Sequence, residues 1–515
     1  MLRKLIFIIA CLTACVDSGS RAPAFKVHLS SEPLSLDSAL AEDGLSFRVL
    51  GALMTGLVSY DKDHKIKLSL AEQMEALNQG RRYRFKLRDW KWSDGREVTA
   101  KDFLFALKRA LEPETPSKLS ELLFFIKGAR EYKQGRQKDF EKVGIRALHE
   151  KLIEFVLEEP TQFFPHILTL PVALPQRADL VERWGAKWPR HMLTTGPYRI
   201  SAWRQDARIE LERNPHFTQF SDGAPERVTF QIIPDETTAL RLFEQRQIDL
   251  LFRVPSFDLQ RLKRQGLVRE FPFFATYYLG FNQKQKPWNE FQARQAFSKA
   301  ISRDAIVEVL GTHESAAGSW IPKGMPGHDP SIGISFDGIE ARRLWNQSGA
   351  KSFDSLTLAF DASAKNQTVL ERVQADLKSH LGLKKVELRA RDWKTYVREL
   401  TLQTPSVFRF AWLCPFADAY ACLMVFSSKS ANNYTGWRSA EYDGLLSKIS
   451  RLDATSTERR ALIDQAQRLL VEKEAVVVPL YHYVQIVGVS PRVERVSVNG
   501  QGLIDFMDIQ MSAKP

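Results

Sequence analysis

Stretches in which every second residue is apolar recur along this chain, interspersed from end to end with stretches whose apolar residues fall at helical spacing. Neither pattern buries its apolar side alone, and their interspersion restricts the chain to layered α/β or α+β architectures. Lys26-Val27-His28-Leu29 reads as a first strand, ended by Ser30-Ser31-Glu32-Pro33. Helical spacing covers residues 47–57, and a second helix opens at Ala100-Lys101-Asp102, with Asp102 suited to its first turn, and stops near Pro113. Residues 198–200 and 209–211 read as paired strands about a turn at Gln205-Asp206. A strand over 228–233, a helix over 237–247 and a strand over 248–251 follow. Residues 275–281 form an aromatic-rich strand, and 291–310 one long amphipathic helix. A strand over 355–360, a helix over 366–381 and a strand over 386–389 complete the reading. Strand-to-helix steps of this kind fit a two-lobed protein with a sheet in each lobe.

The length, 515 residues, suffices for roughly two to four domains with cores of their own. With 44% hydrophobic and 26% charged residues the composition is that of a globular protein. Arg3 and Lys4 precede the apolar run LIFIIA at 5–10, and Thr13-Ala14-Cys15 follows, the order of a secretory signal. Leu12-Thr13-Ala14-Cys15 resembles a bacterial lipobox, which makes Cys15 the expected lipidated first residue, with a polar tether behind it. Later apolar runs, such as Ala475-Val476-Val477-Val478-Pro479-Leu480, are strand length and far short of the ~20 residues of a membrane span. The net charge of +12 falls to +10 once Arg3 and Lys4 leave with the signal. Nucleic acid is not an expected partner for an exported chain. The densest basic cluster, Arg82, Arg84, Lys86 and Arg88, alternates with Tyr83, Phe85 and Leu87, as in a strand with one buried and one solvated face. Of four cysteines, Cys414 and Cys422 remain beyond the signal and lipid site. They form either a disulfide or two buried thiols.

Blocks spread over about 26–509 carry a resemblance to a known family. They begin with Glu32-Pro33 and Leu36-Asp37, then Tyr60-Asp61, Trp90-Lys91-Trp92-Ser93-Asp94-Gly95 and Val98-Thr99-Ala100-Lys101-Asp102-Phe103. Thr195-Gly196-Pro197-Tyr198, Trp203 and Arg213-Asn214-Pro215 follow, then Phe281-Asn282, Pro287, Arg294-Gln295-Ala296 and Ala300-Ile301-Ser302-Arg303. Trp393-Lys394-Thr395-Tyr396, Trp412 and Tyr442-Asp443 complete the order. In this order they resemble the peptide- and nickel-type periplasmic solute-binding proteins of ABC importers, the oligopeptide-binding protein family. The resemblance implies an α/β, two-lobed periplasmic binding protein fold of class II type with an extra third domain. Its expected division is a signal at 1–14, a lipidated tether at 15–24, lobe I at 25–57, 190–270 and 478–515, the extra α/β domain at 58–189, and lobe II at 271–477.

The same resemblance implies capture of a peptide by hinge closure, with no bond made or broken, and delivery to a membrane permease and ATPase. It implies a lipid-anchored monomer on the periplasmic face of a bacterial membrane, without cofactor or metal. It points to Trp393 and Trp412 as pocket walls and Arg409 as a carboxylate partner. Ser31, Glu32 and Pro33 match a segment facing the cleft, and Tyr278 and Asn282 lie near the expected hinge. In oligopeptide binders an aspartate shortly after the Trp412 position grips the ligand's free amine, whereas this chain reads Trp412-Leu413-Cys414-Pro415-Phe416-Ala417-Asp418. Pro415 takes that place and cannot serve it. Asp418 is the substitute candidate, and murein peptides, metal chelates and haem stay open as ligands. No GxSxG elbow, HExxH helix or phosphate-binding glycine loop supports a cell-envelope hydrolase.

Overall fold

The computed structural model describes residues 24–353 and 355–512. The signal, most of the tether and the lipid site at Cys15 lie outside the described residues. The chain enters through β1 (Phe25–Leu29) and the helix Gly44–Leu53. That helix starts earlier than its apolar spacing predicts, because the Asp43 carboxylate accepts from Leu45 N and Ser46 N. It stops at Met54, where Gly196 N donates to Leu53 O at 2.8 Å. A Cβ on Gly196 would lie 2.6 Å from the Leu53 carbonyl carbon, so only glycine permits this approach.

An insertion follows, with a hairpin of β2 (Val58–Tyr60) and β3 (Ile66–Leu68). Its antiparallel sheet comprises β4 (Ala71–Leu77), β5 (Arg82–Leu87), β6 (Ile145–His149) and β7 (Leu152–Val156), in the order β4-β5-β7-β6. On β5, Tyr83, Phe85 and Leu87 are buried while Arg84 pairs with Glu154 and Lys86 with Glu72, the two faces the alternation predicted. Asp37 fastens the insertion to the first lobe. It accepts both guanidinium ends of Arg109 and the indole N–H of Trp188. Trp90 Nε1 donates to Thr195 O at 2.8 Å and Ser93 N to Thr194 O at 2.9 Å, which joins two blocks far apart in the sequence.

The chain returns as β8 (Tyr198–Arg204), β9 (Arg208–Arg213), β10 (Arg227–Ile232) and β11 (Leu250–Leu251). It then crosses to the second lobe on the 14-residue β12 (Val268–Phe281). There lie β13 (Ser315–Ala316), β14 (Ser355–Asp361), β15 (Lys385–Arg391) and β16 (Val407–Leu413). The 13-residue β17 (Val477–Val489) crosses back, and β18 (Val493–Arg495) pairs with β19 (Gln510–Met511). One sheet runs β15-β14-β16-β12-β17-β11-β1-β10-β9-β8, so both lobes hang on the β12–β17 pair. Their ladder is interrupted between Pro272 and Thr276. Pro272 has no N–H to give, and Phe274 turns its N–H to Gly500 O and its carbonyl to Cys414 N.

Two helices, Phe291–Lys299 and Arg303–Leu310, replace the single helix expected over 291–310. Ser302 caps the second through Ala305 N, and its own N–H donates to Asp376 Oδ2 at 3.1 Å. Apolar residues on both sides of the break bury in one core, which hides it from periodicity. Cys414 and Cys422 form a disulfide, resolving the alternative left open.

Candidate functional site

Strand β1 runs parallel to both β10 and β11, so three carboxyl ends meet at one edge of the first lobe. In such sheets ligands settle at the carboxyl ends of the strands. Here the residues after β11, from Phe252 to Ser256, face Thr312, Glu314 and Lys365 of the second lobe. Phe273 on β12 and Tyr483 to Ile486 on β17 close the back, around a cavity of about 370 Å³. The cavity therefore sits where the inter-lobe ladder is broken. A larger hollow of about 800 Å³ lies by Phe336, Ile339 and His380, but second-lobe residues alone line it, so lobe closure would not enclose a ligand there.

Paired charges and aromatic rings build the second-lobe wall. Lys365 Nζ bonds Glu314 Oε1 and lies 5.0 Å from the centre of the Tyr483 ring. Behind it, buried Arg409 donates to Asp361 Oδ1 at 2.7 Å and to Tyr483 Oη at 2.9 Å. Its guanidinium carbon lies 4.3 Å from the Tyr277 ring centre, and Tyr277 stacks on Tyr481 at 4.6 Å. Gln485, on the cavity wall, has a buried Oε1 with no hydrogen-bond partner among the described residues.

The first-lobe wall differs, because its cations are poorly matched by acids. Arg253 reaches Glu236 only at 3.6 Å. Arg48 donates from Nε and Nη2 to Gly502 O and stacks on Phe252, its guanidinium carbon 3.6 Å from the ring centre. Burial pushes the Arg48 guanidinium down to about 9, despite the Asp43 carboxylate. Burial also lowers the pKa of His28, whose Nε2–H donates to Ile233 O while Nδ1 has no partner among the described residues.

Residues singled out from sequence distribute unevenly over this geometry. Side chains alternate along β16, so Arg409 points to the cavity side and Phe410 and Trp412 to the opposite face. There Trp393, 56% exposed, stacks on Phe410 at 6.0 Å, and Trp412 Nε1 donates to Ala421 O. Ser31 is exposed beyond β1 and Pro33 is buried.

Four expected ligand contacts are engaged within the protein. Glu32 accepts from Trp203 Nε1 at 2.6 Å and Asp206 N at 3.0 Å, holding the β8–β9 turn. Tyr278 is a core ring among Trp320, Phe408, Phe410 and Phe426. Asn282 donates to Thr404 O and accepts from Lys284 N, joining the ends of β12 and β16. Asp418 caps the helix Ala419–Leu423 through Tyr420 N and takes Arg459 Nη2 at 2.7 and 2.9 Å. Both its oxygens are thus engaged in a buried ion pair with Arg459.

Sequence reading missed Phe252, Arg253, Phe273, Lys365 and Tyr483. The first two carried a readable signal, since they follow directly on a predicted strand of a parallel sheet, where ligands gather. Among the described residues no group of His, Cys, Asp and Glu is placed to hold a metal ion.

A cavity between two lobes, backed by two crossing strands, defines a bilobal solute-binding protein of the periplasmic class. The model of the bacterial extracellular solute-binding proteins, family 5, matches residues 65–434, and the chain belongs to this family. It is 27% identical to the oligopeptide-binding protein OppA of Bacillus subtilis over 500 residues, covering 93% of this chain and 91% of the relative. Identity to the periplasmic oligopeptide-binding protein OppA of Salmonella typhimurium is 29% over 481 residues, 90% of this chain and 87% of the relative. The unliganded open form of the periplasmic murein tripeptide-binding protein MppA superposes with a TM-score of 0.80 at 25% identity, over 95% of this chain and 97% of that one. Each of these relatives is named for the peptides it binds.

Proposed function

We propose that this chain captures peptides between its lobes and hands them to an ABC importer. The cavity at the broken β12–β17 ladder carries the reading, because both lobes line it and rotation about the two strands would open and close it. The kinship with peptide-binding relatives supplies the ligand class. Of the sequence-predicted residues, Ser31, Trp393 and Trp412 keep surface open to solvent, the two tryptophans on the face of β16 away from the cavity. Arg409 acts from behind the cavity by fixing Tyr483. Outside the described residues, Cys15 is the proposed lipid anchor, and a monomer is the proposed working form.

With Pro415 at the expected amine site and Asp418 paired to Arg459, a free amino terminus has no carboxylate of that loop to meet. The test is a thermal-shift and calorimetric series of tri- to pentapeptides, each free and N-acetylated. Peptides at a hundred times their Kd should stabilise the protein by about 2.7 kcal/mol. Acetylated and free forms should bind within a few-fold of each other. No shift for any peptide would overturn the function, and strong loss on acetylation would restore an amine anchor.

A further inference from the structure

Four cations lie at or behind the cavity walls, each with a carboxylate acting on it, and the loose matches are confined to one wall. Lys365 is neutralised by Glu314 and Arg409 by Asp361. On the first-lobe side, Arg253 has only the loose contact with Glu236, and its side chain is 62% exposed. Arg48 has no ion pair among the described residues, although it is 8% exposed. The carboxylate that acts on it, Asp43, is occupied by the first turn of the helix Gly44–Leu53. A buried cation with one carbonyl as its hydrogen-bond partner and one ring against it is costly, and an anion brought near would lower that cost. The Phe252 ring lies between Arg48 and the cavity, so the Arg48 charge acts through a thin apolar layer, where the field is weakly screened. His28, beside both arginines, is buried with an unpartnered Nδ1 and adds no carboxylate to offset them.

We infer that the first-lobe wall is a recognition subsite for a carboxylate of the captured solute, contacted by Arg253 and backed by Arg48. Arg253 stands at the carboxyl end of β11, on the cavity surface, with a planar fork suited to a bidentate bond. Arg48 is a positioning residue, holding Phe252 flat and biasing the wall toward anions. The inference rests on the peptide reading and names the ligand's charge. A carboxylate reaches the subsite either from an acidic side chain or from the peptide's carboxyl end.

The test is calorimetric titration of the whole mature protein with one peptide frame carrying Glu, Gln or Lys at each position in turn. Each peptide is made as free acid and as carboxyl-terminal amide. Acidic peptides are expected to bind about ten- to a hundredfold tighter than their Lys counterparts, the range of a charge-assisted hydrogen bond. Loss on Glu→Gln assigns the carboxylate to a side chain, and loss on amidation assigns it to the chain end. Both outcomes support the subsite. Arg253→Gln should erase the difference between acidic and neutral peptides, and Arg253→Lys should restore part of it. Arg253 is exposed, so neither variant threatens folding. Equal binding of acidic, neutral and basic peptides with no loss on amidation, or a preference that survives Arg253→Gln, would overturn the inference and leave peptide capture standing. Absence of binding by every peptide would overturn both.

Discussion

Asp418 shows how one side chain changes its meaning once its surroundings are known. Its place after Trp412 made it the substitute amine anchor, but Arg459 occupies both its oxygens, and both residues are 5% exposed or less. Removing one member of a buried ion pair strands the other charge. Asp418→Asn is therefore expected to cost about 3–5 kcal/mol of stability in urea denaturation. Peptide affinity of the folded fraction should stay unchanged. A variant that keeps its stability and loses affinity would return Asp418 to the ligand. Sequence cannot separate these roles, because an acid that caps a helix and one that grips an amine look alike along the chain. Arg253 was overlooked for the opposite reason. It carries no motif beyond its place directly after a predicted strand, and the parallel pairing of β1 and β11 puts that place on a cavity.

Elements were more legible than side-chain roles. The strand β1, the β8–β9 pair and the helix Ala100–Leu111 stand where period and capping chemistry place them. Those signals are local, so they survive without tertiary knowledge. Two elements misread for physical reasons are the helix broken at Ser302 and β12, whose first half at Val268–Pro272 is half-exposed and lacks a clean apolar period. The disulfide loop is an element whose closure matters to the hinge, since Cys414 N donates to Phe274 O beside the interrupted ladder. Closing a loop of this size removes about 2–3 kcal/mol of unfolded-state entropy. Paired Cys414→Ser and Cys422→Ser substitution should lower stability by that amount in guanidinium titration. An unchanged midpoint would show that the loop's packing, with Phe416 and Tyr420 stacked on Phe163 of the insertion, suffices alone.

At the scale of the whole molecule, two of the places that tie the lobes are the β12–β17 crossing and the insertion's contact with the second lobe. At the second, Ala417 N donates to Tyr60 Oη at 3.0 Å and Gln162 N to Ser450 O at 2.8 Å. Each place holds a histidine, buried His482 at the crossing and half-buried His166, bonded to Tyr60, at the contact. Thr276 Oγ1 donates to Trp320 O, so it accepts from His482 Nδ1–H, and Ser319 supplies the hydroxyl facing Nε2. That network suits a neutral ring. Burial, with His328 and Lys323 adding to it, pushes His482 down to about 3, and burial likewise lowers His166. Unfolded, each ring takes a proton near pH ~6.5, while the folded form refuses it until lower pH. The unfolded state thus binds more protons below that point, and stability falls as pH falls from ~6.5. At pH ~5.5, above the range of ordinary carboxylates, a histidine still neutral in the fold costs about 1.4 kcal/mol. Denaturation midpoints should hold steady from pH ~8 to ~7 and then decline, and His482→Gln should flatten the decline whatever its effect at neutral pH. A profile equally steep in that variant would mean that the crossing strands admit the proton, and that His482 does not set the acid limit of the hinge.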